Sequence, residues 1–393
     1  MLAVLSVIIN ILLLILIIGI LTFVHEGGHF IAAKLVGAKV LEFSVGFGPL
    51  ICSKEYKGTQ YSLRAIPFGG YCQILGDGDP DDSDGKKKEE YKDSEYNLNN
   101  KTPLQQIFVM LAGVTMNVVL SIVIFHIMLA FSGWEIFTSP EYENIKTVGA
   151  KVEKVLLEED SKVDYVSLQE GGVAETAGFP SEGYVKAING ESITFSDELS
   201  RYLSTHKGEQ VTMNVCDKED NCKDYNLTIS EEGKIGIMLQ SNYYISISYK
   251  DNKLFAGVSH LVNYTRLVFT KLGSLFRDAR STGDYSELSN SVSGPIGMYL
   301  IIDYIKQYGI IPLMEIVAEL SLSLAIMNVL PVPALDGGRV LILLIETILR
   351  RKLSDNVKER IINISFILLM VLVVLIMVKD IINIDEIKAM LSN

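Results

Sequence analysis

Apolar residues in this chain gather into long runs, and the polar ones fill the blocks between them. Four runs are long enough to cross a hydrocarbon core of about 30 Å: Leu2–Phe23, continuing towards Lys34; Ile107–Phe131; an interrupted stretch from Ile310 to Leu349; and Ile361–Val378. The pattern predicts four membrane-spanning helices. Between the first two, the chain changes to short strand-like runs, Glu42–Val45, Pro49–Lys54, Gln60–Ile66 and Gly70–Leu75, divided by Gly46, Gly48, Lys57-Gly58 and Gly69-Gly70. Strand-length segments punctuated in this way predict β-hairpins. From about Lys146 to Leu239 the reading is a soluble β-rich module, and Lys253–Arg280 repeats Leu254, Val258, Leu261, Leu272 and Phe276 at helical spacing. That segment predicts an amphipathic helix, with the outer membrane surface and the β-rich module as alternative beds for its apolar face.

Composition fits a membrane protein with a soluble part, since mean hydropathy is +0.29 although 21% of residues are charged. The net charge of −12 comes largely from the soluble regions, and no segment reads as a nucleic-acid module. The first run lacks a basic leading region and is too long for a removable signal peptide. Lys34, Lys39, Lys54, Lys57, Arg64, Lys86–Lys88, Lys92 and Lys101 follow the first run, and Arg350, Arg351, Lys352, Lys358 and Arg360 follow the third. By the positive-inside rule both connections are cytoplasmic, which puts the two termini and the segment from Trp134 to Gly309 outside the cytoplasm. Cys216 and Cys222 bracket a polar turn on that outer side and suit a hairpin disulfide, whereas Cys52 and Cys72 are expected to stay reduced. The acidic run Asp77–Asp84 with Lys86–Lys92 reads as a solvated loop.

The chemistry sits where the first run ends, at His25-Glu26-Gly27-Gly28-His29. Two histidines four apart on a helix share one face and can hold one metal, with the intervening glutamate placed as a general base. Ionisable groups at the end of a membrane span are costly and mark a functional site by default. The third run contains Asn328-Val329-Leu330-Pro331-Val332-Pro333-Ala334-Leu335-Asp336-Gly337-Gly338. Pro331 and Pro333 forbid a continuous helix, and irregular backbone at membrane depth needs protein or a watery cavity around it. Taken alone, Asp336 reads as a helix N-cap; taken with the two histidines, it reads as a third metal ligand. His126, isolated in the second run, reads as a packed residue.

These two motifs resemble those of the site-2 proteases, a family of intramembrane zinc metalloproteases, and in particular its bacterial members that carry a PDZ domain. Ala112-Gly113-Val114-Thr115-Met116-Asn117 resembles the family's GxxxN element, with Val118 where many relatives have proline, and Ser293-Gly294-Pro295-Ile296-Gly297 resembles the stretch before its third core helix. The resemblance implies an α-helical multi-pass membrane protein of four transmembrane helices, with a membrane-associated β-hairpin region on the cytoplasmic side and one inserted PDZ domain. The corresponding ranges are 1–40 for the first transmembrane helix with its motif, 41–104 for hairpins and polar loop, 105–133 for the second helix, 146–239 for the PDZ-like domain, 253–280 for the amphipathic helix, 310–350 for the third segment and 361–379 for the fourth helix.

It further implies one catalytic Zn2+ on His25, His29 and Asp336, with Glu26 as base and then acid, and with Asn117, Asn328, Pro331 and Pro333 positioning substrate. For the prolines, shaping the backbone is the alternative. The implied substrates are single-span membrane proteins, anti-sigma factors or remnant signal peptides, trimmed first by a site-1-type protease and then held as an added strand in the bilayer. The PDZ-like module is expected to act as a size filter in preference to a peptide-binding site. An idle membrane scaffold and an ion transporter are the rival functions, and the intact His25, Glu26, His29 and Asp336 set weighs against both.

Overall fold

A computed structural model describes residues 2–76, 94–143, 145–385 and 387–388 of the 393. The charged loop from Asp77 to Lys92 lies outside the described residues. The chain forms two units, one made of Met1–Phe131 with Val268–Asn393 and the other of Ser132–Leu267.

The first unit opens with α1 (Leu2–Leu35). Leu5, Ile8, Leu12 and Leu16 on α1 are exposed, which suits a lipid environment, since every backbone group of a helix is satisfied within it. The hairpin region follows as β1 (Val40–Tyr56) and β2 (Thr59–Ile74). Each strand bends, so that Glu42–Val45 lies beside both Gln60–Leu63 and Gly70–Gln73, while Leu50–Tyr56 pairs with Thr59–Arg64. The lateral order of the four runs is therefore 70–74, 40–45, 60–64, 50–56. Next comes α2 (Pro103–Phe131). Its start is written in the sequence: Thr102 and Gln105 exchange hydrogen bonds in a capping box and Pro103 takes the first helical position, where no N–H is needed.

The second unit contains β3 (Glu135–Thr138), β4 (Lys151–Leu156), β5 (Val163–Leu168), α3 (Val173–Thr176), β6 (Gly183–Ile188), β7 (Glu191–Ser192), α4 (Ser196–Thr205), β8 (Gln210–Cys216), β9 (Cys222–Thr228), β10 (Ile237–Leu239) and β11 (Tyr243–Ser248). One sheet runs β10-β5-β6-β8-β9 with β7 beside β6, and a second runs β3-β11-β4. Val163, Tyr165, Leu199, Met213 and Ile235 are buried in the core beneath the larger sheet. Cys216 and Cys222, opposite each other at the β8–β9 turn, form a disulfide, while Cys52 and Cys72 take part in no disulfide. The three-stranded sheet takes two strands, Glu135–Thr138 and Tyr243–Ser248, from outside residues 146–239.

Helix α5 (Ala256–Thr282) starts in the second unit and ends in the first, which continues with α6 (Ser286–Asn290), α7 (Pro295–Ile305), α8 (Ile310–Val329), α9 (Asp336–Leu349) and α10 (Asp355–Ile382). The Ser293–Gly297 motif opens α7, where buried Asp380 of α10 accepts hydrogen bonds from the N–H groups of Gly294 and Gly297. Ile302 of α7 packs with Leu14, Ile17 and Leu21 of α1. The interrupted stretch 310–350 divides into α8 and α9. Among the described residues, four helices are long and apolar enough to cross a membrane: Leu5–Leu35, Pro103–Phe131, Ile310–Val329 and Asn356–Ile382.

Candidate metal centre

His25 and His29 project from one face of α1, with Nε2 atoms 3.3 Å apart. Asp336 reaches them from the first turn of α9, its Oδ2 lying 3.2 Å from His25 Nε2 and 3.3 Å from His29 Nε2. The connection between α8 and α9 makes this approach. Pro331 and Pro333 prevent α8 from running on, and the chain turns through bonds from Val332 N–H to Leu330 O and from Leu335 N–H to Val332 O. It lies so close over the start of α9 that a Cβ at Gly337 would fall 2.1 Å from Val329 O, and one at Gly338 2.0 Å from Val332 O. Leu335 occupies the N-cap position, so the Asp336 carboxylate is not spent on capping.

The three residues are mutually within reach of one ion, with one donor atom from each lying within 4.8 Å of the others. The donor set fits a metal for three reasons. Asp336 Oδ2 is buried with no hydrogen-bond donor. His29 Nδ1 is 2.8 Å from the Val109 carbonyl, which can only accept, so this ring carries its proton on Nδ1 and keeps a lone pair on Nε2. Gly113 of α2 faces the pair, and a Cβ there would stand 2.4 Å from His29 Nε2 and 2.9 Å from His25 Nε2. Two imidazoles and one carboxylate form the three-ligand set of catalytic zinc sites, which leave a fourth position open.

Glu26 extends from the same turn of α1, and the Cys72 main chain donates a hydrogen bond to its carboxylate. This brings the Gly70–Ile74 edge of the hairpin sheet to the proposed base. Asn117, expected to position substrate, is fully buried with its amide 3.1 Å from His25 Nδ1. Asn328 lies half-buried in the last turn of α8, Pro331 is exposed and Pro333 half-buried, all three in the stretch that leads into Asp336. His126 does not join the metal-binding group. Val109 and Cys72 act through main-chain atoms, which no sequence motif reveals.

The family model of peptidase family M50 matches residues 13–372. The chain belongs to peptidase family M50. Among relatives of this M50 peptidase, a provisionally named zinc metalloprotease of Clostridium perfringens is 32% identical over 92% of this chain and 95% of its own length. A chloroplast membrane metalloprotease of Arabidopsis thaliana is 28% identical over 94% of this chain and 78% of its own. The regulator of sigma-W protease of Bacillus subtilis is 27% identical over 92% of this chain and 96% of its own. The second unit of the peptidase has a groove of about 840 Å³ between α4 and β10, lined by Leu199, Leu203, Ile235, Ile237 and Leu239.

Proposed function

We propose that this M50 zinc peptidase hydrolyses peptide bonds inside the membrane-spanning segments of single-span proteins that another protease has already trimmed. The observation that carries the reading is the convergence of His25, His29 and Asp336 beside Glu26, the first two and the base on a helix apolar enough to cross a membrane. Zn2+, when bound, supplies Lewis acidity towards the scissile carbonyl and the attacking water. Glu26 accepts a proton from that water and then hands it to the leaving nitrogen. A helical substrate hides its carbonyls in its own hydrogen bonds, so it is unwound before it is cut. The outer edge of Gly70–Ile74, beside Glu26, is suited to hold the unwound segment through main-chain bonds.

By the charge pattern of the connections, the metal centre faces the cytoplasmic side and the second unit lies outside the cytoplasm. There it acts as a PDZ-like size filter that keeps untrimmed ectodomains away. Anti-sigma factors and remnant signal peptides are the substrate classes, the first supported by the name of the Bacillus subtilis relative. The test is to incubate purified, zinc-loaded wild type and Glu26→Gln with a pre-truncated single-span anti-sigma-type substrate. Cleavage within the span by the wild type is expected, with a loss of about 10²–10⁴-fold in the variant. Zinc binding without cleavage of several trimmed substrates would turn the reading towards a scaffold or transporter.

A further inference from the structure

We infer that Asn117 is a positioning residue of the metal centre: its amide carbonyl accepts from His25 Nδ1–H and so holds the ring in the tautomer that offers Nε2 to the metal. This rests on the zinc-peptidase reading and adds to it the device that fixes one ligand.

Val109, Gly113 and Asn117 recur at four-residue spacing and so share one face of α2. Each meets the histidine pair differently. The Val109 carbonyl anchors His29 Nδ1, Gly113 leaves space at both Nε2 atoms, and the Asn117 amide stands 3.1 Å from His25 Nδ1. The first anchor has one chemical sense, because a carbonyl only accepts. The second has two, because the oxygen and nitrogen of an amide exchange places by a half-turn.

With the amide nitrogen towards the ring, Asn117 donates to Nδ1. The neutral ring then carries its proton on Nε2, pointing at Asp336 and unable to bind a cation. In that orientation Asn117 Oδ1 is also buried without a donor. In the half-turned amide Oδ1 receives Nδ1–H, and the lone pair on Nε2 is free. His25 then matches His29, each ring donating its second N–H to an oxygen acceptor on α2, as metal-bound histidines usually do.

Asn117 is itself held from behind. It is fully buried, and its main-chain carbonyl accepts from Ser321 Oγ of α8 at 2.8 Å, a bond that no side-chain substitution at 117 removes. The carboxamide is thus fixed in place by the packing of α2 against α8, while its far end sets the ligand.

The experiment compares wild type, Asn117→Leu, Asn117→Ala and Asn117→Asp in detergent, measuring zinc affinity by chelator competition and the visible spectrum of the cobalt form. Thermal unfolding of the metal-free proteins reports folding separately. Asn117→Leu keeps the volume and loses the acceptor, so zinc affinity is expected to fall about 10- to 100-fold with metal-free unfolding close to wild type. Asn117→Ala should match it. Asn117→Asp, an acceptor only, should bring affinity back to within a few-fold of wild type and restore the cobalt spectrum. Wild-type affinity in Asn117→Leu would overturn the inference while leaving the peptidase reading intact. An Asn117→Asp protein that folds but binds as poorly as Asn117→Leu would overturn the accepting role. Should Asn117→Asp fail to fold, the Leu and Ala variants decide. Absence of tight zinc binding by the wild type would sink the peptidase reading, and the inference with it.

Discussion

The two glycines inside the motif, Gly27 and Gly28, look equivalent in the sequence and are not equivalent in the fold. A Cβ at Gly27 meets nothing within 4 Å, whereas one at Gly28 would lie 2.4 Å from Ala112 O and 2.8 Å from its carbonyl carbon. Gly28 is therefore the point where the backbones of α1 and α2 close on each other, which brings Val109, Gly113 and Asn117 against the histidines. Gly27→Ala is expected to leave thermal unfolding and zinc affinity near wild type. Gly28→Ala should lower stability by about 1–3 kcal/mol, the usual range for overpacking against backbone, and weaken zinc binding because both ring anchors move away. Equal behaviour of the two variants in unfolding and metal titrations would refute this account of the α1–α2 contact. The cluster of His25, His29 and Asp336 was legible because metal chemistry dictates side-chain type and spacing. The backbone carbonyl of Val109, the Cys72 main chain and the difference between Gly27 and Gly28 were not, because packing assigns those roles.

Long elements were legible for a related reason: a span must be apolar along its whole length, so α1, α2, α8 and α10 stood out, whereas the glycine-divided runs of 41–75 belong to two long strands that bend at their glycines. Shorter elements drew on long-range pairing that local pattern does not carry. The β3-β11-β4 sheet joins segments more than a hundred residues apart, and buried polar groups fasten its end to α5. There the Tyr249 hydroxyl shares a hydrogen bond with His260 Nδ1 and accepts from Asn263, which also exchanges two bonds with the Val148 main chain. Burial pushes the His260 imidazole down to about 4. An unfolded histidine titrates near 6.5, so between these values the unfolded chain binds the extra proton and the folded one does not. The contribution is fully present above pH 6.5 and is lost as pH falls towards 4, on the order of 3 kcal/mol across that window. Thermal unfolding of the second unit should therefore fall across this range, and a neutral His260→Gln variant should flatten the slope. Identical slopes in the two proteins would rule out His260 as the sensitive group.

For the whole molecule, the decisive question is which side of the membrane each unit occupies, and its cysteines provide two independent reporters. The proposed orientation puts the hairpin sheet, with exposed Cys52, on the cytoplasmic side and the second unit, with its Cys216–Cys222 disulfide, on the other. A disulfide persists where the compartment is oxidising, so its location follows from redox chemistry and not from charge counting. In intact cells a membrane-impermeant maleimide should leave the protein unlabelled until the membrane is opened, after which Cys52 reacts and Cys52→Ser does not. An impermeant reductant added to intact cells should then expose Cys216 and Cys222 to the same reagent without permeabilisation. Labelling of Cys52 from outside would invert the orientation. It would also place the disulfide in the reducing compartment, a combination that neither the loop charges nor the redox chemistry permits, and the filter role of the second unit would fall with it. If both reporters give the expected sides, a substrate ectodomain meets the second unit in the external compartment, while the span to be cut meets Glu26 towards the cytoplasm. Under the proposed function, that separation is the reason for the ectodomain to be trimmed before the span is cleaved.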